Sequence, residues 1–132
     1  MEKQFSHEKL IVYQRSLEFI EFVEKILSKL KDNLSVYDQI DKSSTSISLN
    51  IAEGTGKYSS KDKNKYYDIV RGSATESAAC LDVMFRRRRI TEEENSHGKE
   101  ILFEIVSMLV GLVKSNSDRV YDDAENYNID YK

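Results

Sequence analysis

The chain contains no proline and only five glycines in 132 residues, so the residues that usually interrupt regular backbone are almost missing. Apolar residues instead recur every three or four positions over long stretches, which is the spacing of one face of an α-helix. The first series runs from Leu10 to Leu30, and later ones cover residues 36–51, 67–84 and 102–112. This pattern predicts an all-α protein made of long amphipathic helices.

Residues at the ends of these series indicate where each helix starts and stops. Gly54 and Gly56 are typical of a helix C-terminus, and Ser59 is a candidate N-cap. Thr91 and Glu94 have the spacing of a capping box. Four helices follow from these boundaries, at about residues 7–31, 35–54, 60–89 and 92–115. Their short links predict an antiparallel up-down-up-down four-helix bundle.

The bundle is expected to occupy residues 1–117, and composition limits what else the chain contains. Residues 118–132 are rich in Asp, Asn and Tyr, which predicts an acidic, flexible tail. The longest apolar run covers residues 108–113 and is too short to span a membrane. No secretory signal precedes the first helix, and the single cysteine, Cys80, fits a reducing compartment. We therefore expect a cytoplasmic protein without a membrane partner.

Catalytic and metal-binding motifs are scarce. The sequence has no phosphate-binding loop, no Gly-x-Ser-x-Gly and no His-Glu-x-x-His. Glu94 and His97 have the Glu-x-x-His spacing of bundle di-metal sites, but no second copy accompanies them. We expect no enzyme activity, no cofactor and no metal site.

Small residues occupy the second and third predicted helices where bulky residues usually fill a core. They lie in residues 43–48 and 72–79, and their size predicts a close crossing of the two helices. One interpretation is packing alone. The other is a structural polar cluster at the same level, in which an ion pair between Glu53 and Arg71 sets the register. The members of that cluster are Asn50, Glu53, Arg71, Ser73 and Glu76.

Two blocks of this region resemble a known family. They read Ser-Ile-Ser-Leu-Asn-Ile-Ala-Glu-Gly at residues 46–54 and Arg-Gly-Ser-Ala-Thr-Glu at residues 71–76. With the segment at residues 10–16, they are similar to the four-helix-bundle proteins first noticed in 23S ribosomal RNA intervening sequences, which are often described as ribosomal-protein-like. The resemblance covers about residues 8–115. It also implies a fold related to the accessory protein of diversity-generating retroelements. By that resemblance the chain would form a homopentamer, bind nucleic acid and associate with a reverse transcriptase.

Charge is unevenly distributed along the chain. Its net charge of −3 hides a segment of net +5 at residues 57–89, between segments of net −2 and −6. The basic residues form two clusters at opposite ends of the third helix, which makes them candidates for binding phosphate backbones. The candidates are Lys57, Lys61, Lys63, Lys65, Arg86, Arg87, Arg88 and Arg89. The alternatives are an ordinary solvated turn for the lysines and, for the arginines, helix-end stabilisation with pairing to Glu92, Glu93 and Glu94.

Three functions fit these observations. The first is an oligomeric, non-catalytic accessory protein that binds RNA or DNA without sequence specificity through its basic third helix. The second is a protein-interaction scaffold, for example for a reverse transcriptase, without direct nucleic-acid binding. The third, which has the least support, is a small-molecule or metal enzyme in the bundle core.

Overall fold

A computed structural model describes the backbone of residues 3–123 and the side chains of residues 3–115. A short 3₁₀ turn, Ser6–Lys9, precedes four helices, and no strand occurs in the described residues. The helices are α1 (Ile11–Ser28), α2 (Ser35–Thr55), α3 (Ser60–Arg86) and α4 (Glu92–Asp123). Each helix packs against its neighbours in sequence, and α1 also packs against α4. The predicted antiparallel four-helix bundle is confirmed.

Two predicted N-terminal caps are present. Ser59 Oγ accepts a hydrogen bond from the backbone N–H of Asp62 at 3.1 Å, which starts α3. Thr91 Oγ1 accepts from the N–H of Glu94 at 3.1 Å, and the Glu94 carboxylate accepts from the N–H of Thr91 at 2.9 Å. This reciprocal pair is the predicted capping box at the start of α4.

Helix ends differ from the predicted positions in three places. Leu10 has extended backbone, so the expected helix from residue 7 divides into the 3₁₀ turn and α1, which ends at Ser28 instead of residue 31. Helix α3 ends at Arg86, three residues early. Helix α4 continues to Asp123 because no Pro or Gly stops it after Gly111. The expected tail therefore does not begin at residue 118, and residues 124–132 lie outside the described part.

The core lies between the four helices. The stripes predicted for α2 and α3 are buried, including Ile40, Ile47, Val70 and Leu81. In α1 the buried face is centred on Val12, Phe19 and Ile26 and includes Val23 of the predicted stripe, whose other members lie half-buried beside it. The largest fully buried apolar side chains are Phe19, Ile40, Ile47, Ile51, Val70, Leu81, Met84, Ile105 and Leu109.

Helices α2 and α3 approach closely along a row of small residues. Ser43 Oγ lies 2.7 Å from Ser77 Oγ, and Ser46 Oγ lies 2.9 Å from Ser73 Oγ. At Gly54 an added Cβ would lie only 2.9 Å from the Cβ of Tyr66. The predicted close crossing is confirmed. It fixes the antiparallel register that places the end of α2 beside the start of α3.

Candidate nucleic-acid interface

The lysine end of the molecule is the turn from α2 to α3 and the first turns of α3. Lys61 and Lys65 are exposed, and neither forms an ion pair with any described carboxylate. Tyr58, in the turn itself, is fully exposed at 103%. These three side chains leave two positive charges and one aromatic ring open to solvent.

The other two lysines of this end stabilise the turn. Lys57 Nζ lies 3.9 Å from a Glu53 carboxylate oxygen and 5.1 Å from the centroid of the Tyr66 ring. Lys63 Nζ donates to the backbone carbonyl of Thr55, the last residue of α2, at 2.7 Å. Because Lys63 donates a hydrogen bond to a carbonyl at the C-terminus of α2, we assign it a structural role.

The arginine end is the turn between α3 and α4. Arg88 N–H donates to Phe85 O at 2.9 Å and Arg89 N–H donates to Met84 O at 2.8 Å, the two hydrogen bonds of a Schellman motif. The residue at the left-handed position of that motif is Arg88, with φ 62°. Glycine is usual there, so a bulky side chain occupies a position that disfavours it.

Arg89 is held in the fold by the turn between α1 and α2. Its Nε donates to Asp32 Oδ2 at 2.8 Å, and the Tyr37 hydroxyl donates to Asp32 Oδ1 at 2.7 Å. The Tyr37 hydrogen bond and then the Arg89 guanidinium lower the pKa of Asp32. Sequence analysis missed Asp32 and Tyr37. The signal was available in the topology, because an up-down bundle brings these two turns to one end.

Arg86, Arg87 and Arg88 remain exposed and form no ion pair with any residue whose side chain is described. The expected alternative, pairing with the acidic start of α4, does not occur among them. Glu94 instead serves the Thr91 cap and pairs with Lys29 at 3.2 Å. Asp82 is close enough for Arg86 to contribute to its lowered pKa, but Lys99 is the partner that lowers that pKa most.

The expected polar cluster forms only in part. Asn50 donates to Ser46 O and Ser46 Oγ, and Ser46 in turn contacts Ser73. Glu53 pairs with Lys57 instead of Arg71. The reason is geometric: Ser73 faces α2, and Arg71, two residues earlier, is rotated by about 200° toward the groove with α4.

Arg71 is half-buried on that α4 side, one turn from Thr75, which lines the groove between α3 and α4. Glu76 is exposed on the outer surface of α3. The ion pair between Glu53 and Arg71 was therefore a wrong prediction. Hydrogen-bonded small residues set the register instead.

Among the described residues, the other groups considered in the sequence make structural contacts. Glu94 is engaged by its cap and by Lys29, and His97 packs edge-on against Phe22 with ring centroids 5.5 Å apart. The described residues include no group of three or more His, Cys, Asp or Glu placed to hold a metal ion. Cys80 is buried, and burial raises the pKa of its thiol, which disfavours the reactive thiolate. Within the same described residues, no helix has the length and apolarity to cross a membrane.

Comparison with known proteins agrees with this fold. No curated protein matches the chain. Its structure is similar to the 1.70 Å crystal structure of a protein of unknown function in the S23 ribosomal protein family of Bacteroides thetaiotaomicron. The two share 28% sequence identity with a TM-score of 0.73, over 79% of this chain and 99% of the other. A family model for the 23S rRNA-intervening sequence protein matches residues 8–111. This match covers most of the four-helix bundle, and the chain belongs to the 23S rRNA-intervening sequence protein family.

Proposed function

We propose that the protein is a non-catalytic accessory factor that binds the backbone of RNA or DNA through the basic ends of α3. The proposal is supported mainly by the exposure of the basic side chains and by their lack of ion-pair partners among the described residues. Five of the eight candidates are exposed without an ion pair among the described residues: Lys61, Lys65, Arg86, Arg87 and Arg88. Each is therefore available to replace a counterion on a phosphate.

The chemistry of these groups favours contact without base-specific readout. At the arginine end the N–H groups of residues 87–89 are already used by carbonyls at the end of α3, so only side chains remain to bind an anion. Contacts of Lys and Arg with phosphates position a protein on nucleic acid but do not read its sequence. Tyr58, fully exposed beside the lysines, is suited to stack on an unpaired base of either nucleic acid.

The relatives support RNA as the first polyanion to test. The matching family is named for 23S rRNA intervening sequences, and the Bacteroides neighbour belongs to a ribosomal protein family. These names concern the relatives, and the cationic ends of α3 are this chain's own reason to expect binding.

The experiment compares three proteins in equilibrium binding to a fluorescent RNA duplex and the matching DNA duplex at low salt. The first is the natural chain. The second carries Lys61→Ala, Lys65→Ala, Arg86→Ala, Arg87→Ala and Arg88→Gly, the last of which preserves the left-handed turn. The third, Lys25→Ala/Lys42→Ala, removes two exposed lysines from other helices. We expect at least a hundredfold loss of affinity in the second protein and less than a threefold change in the third. Equal affinity of the first two would overturn the proposal.

A protein-interaction scaffold is the second candidate, and exposed apolar side chains favour it. Ile11, Leu49 and Phe103 are 75%, 64% and 71% exposed on three different helices. Such side chains suit contact with other copies of the chain, as in the homopentamer that the family resemblance implies, or with a reverse transcriptase. Native mass measurement of the purified protein, with Phe103→Ser as the variant, tests self-association directly. A monomeric mass for the natural chain would exclude the ring.

A further inference from the structure

The outward face of α3 is cationic only at its two ends. Steps of three or four residues from Lys61 define one exposed stripe along the whole helix. Lys61 and Lys65 begin the stripe and Arg86 ends it. Between them the stripe carries, in order, Asp68, Gly72, Glu76, Ala79 and Val83, all of them exposed.

A phosphate backbone lying along this stripe would contact side chains that do not bind anions. Asp68 and Glu76 repel phosphates, and neither forms an ion pair among the described side chains. Ala79 and Val83 offer no group that binds an anion. The middle of the helix therefore separates the two basic ends chemically.

Distance separates the two ends electrostatically. Lys65 and Arg86 are 21 residues apart in one helix, about 32 Å at 1.5 Å per residue. The Debye length at physiological ionic strength is about 8 Å, so the field of one cluster is almost completely screened at the other. A polyanion bound at one end therefore does not alter the attraction of the other end for a second polyanion.

We infer that each chain carries two independent polyanion sites, one at each end of α3, and holds two separate nucleic-acid segments at once. The lysine site comprises Lys61 and Lys65, with Tyr58 beside them. The arginine site comprises Arg86, Arg87 and Arg88. This inference rests on the proposed function and adds to it a stoichiometry and a role in bringing two segments together.

A short duplex tests the stoichiometry. An 8-base-pair DNA duplex is about 27 Å long at 3.4 Å per base pair, which is shorter than the separation of Lys65 and Arg86, and a duplex placed between them would lie over Asp68 and Glu76. Saturation titration at about 0.1 M salt, where the Debye length is about 10 Å, gives the number of duplexes bound per chain, with protein counted as single chains. Counting per chain makes the result independent of the oligomeric state.

We expect two duplexes per chain for the natural protein. Lys61→Ala/Lys65→Ala should bind one, and so should Arg86→Ala/Arg87→Ala/Arg88→Gly. The control Lys25→Ala/Lys42→Ala should keep two. One duplex per chain for the natural protein, or two for either single-end variant, would overturn the inference while leaving the proposed function standing. Absence of binding by the natural protein would overturn the proposed function itself.

Discussion

Arg88 occupies a left-handed backbone conformation, with φ 62°, at the end of α3. This conformation costs an L-residue roughly 1–2 kcal/mol. Glycine removes that cost, but its greater conformational freedom in the unfolded chain offsets part of the gain. We expect Arg88→Gly to stabilise the protein by about 0.5–1 kcal/mol and to raise Tm by roughly 2–5 °C. The same variant should bind nucleic acid more weakly. If the Arg88 side chain binds nucleic acid, its replacement should relieve the backbone strain and weaken binding at the same time.

The control for that prediction is Arg87→Gly, because Arg87 has φ −84° and gains nothing from glycine. It should bind nucleic acid as weakly as Arg88→Gly but show no rise in Tm. Thermal unfolding followed by circular dichroism measures the Tm of both variants. A lower Tm for Arg88→Gly than for the natural chain would contradict the account of the turn.

Asp32 predicts a pH dependence of stability. Hydrogen bonds from Tyr37 and Arg89 hold its pKa below the usual value of 3.8 in the folded state. The unfolded chain therefore takes up this proton first as the pH falls. The stability that the group contributes is complete above about pH 5, falls as the pH drops through the unfolded value of 3.8, and is lost below the folded pKa. Asp32→Asn should lower stability at pH 7 and flatten the pH profile of chemical denaturation below pH 4. An unchanged profile would show that the contact is not made in solution.

At the scale of the helices, two glycines predict opposite effects of the same substitution. In Gly54→Ala the new Cβ would lie 2.9 Å from the Tyr66 Cβ and 3.2 Å from the Lys63 carbonyl oxygen. Neither is the end of a flexible side chain, so α2 and α3 must separate, at a cost of about 1–3 kcal/mol. Gly72 has nothing within 4 Å of an added Cβ. Gly72→Ala should therefore stabilise α3 by up to about 1 kcal/mol. Urea denaturation of both variants checks the pair, and equal effects would contradict the close crossing.

Sequence periodicity predicted α2 and α3 well because each has a single apolar stripe. Helix α1 has two overlapping stripes, one through Leu17 and Ile20 and another through Phe19 and Ile26. Only packing against the other helices decides that the second stripe is central and the first flanks it. The end of α3 was missed for a different reason, since an arginine in place of glycine at a helix C-terminus leaves no recognisable stop signal.

At the scale of the whole molecule, the sequence located the basic residues but not their pairing. Topology places the two clusters at opposite ends of the bundle, as the sequence predicts. Which cations are free depends on contacts across the fold. Arg89 meets Asp32 from a distant turn, and Lys63 meets the end of α2, and neither contact has a local sequence signature.

The molecule as a whole is acidic, with a net charge of −3, so binding to a polyanion must come from the local charge at the ends of α3. The salt dependence of binding to a long RNA duplex tests this claim most directly. If each exposed cation neutralises one phosphate, a plot of log affinity against log salt concentration should have a slope of roughly −2.7 for binding at the arginine site and roughly −1.8 for binding at the lysine site. The variant lacking all five should show a slope near zero. A slope near zero for the natural chain, or the same steep slope for both proteins, would contradict the central claim.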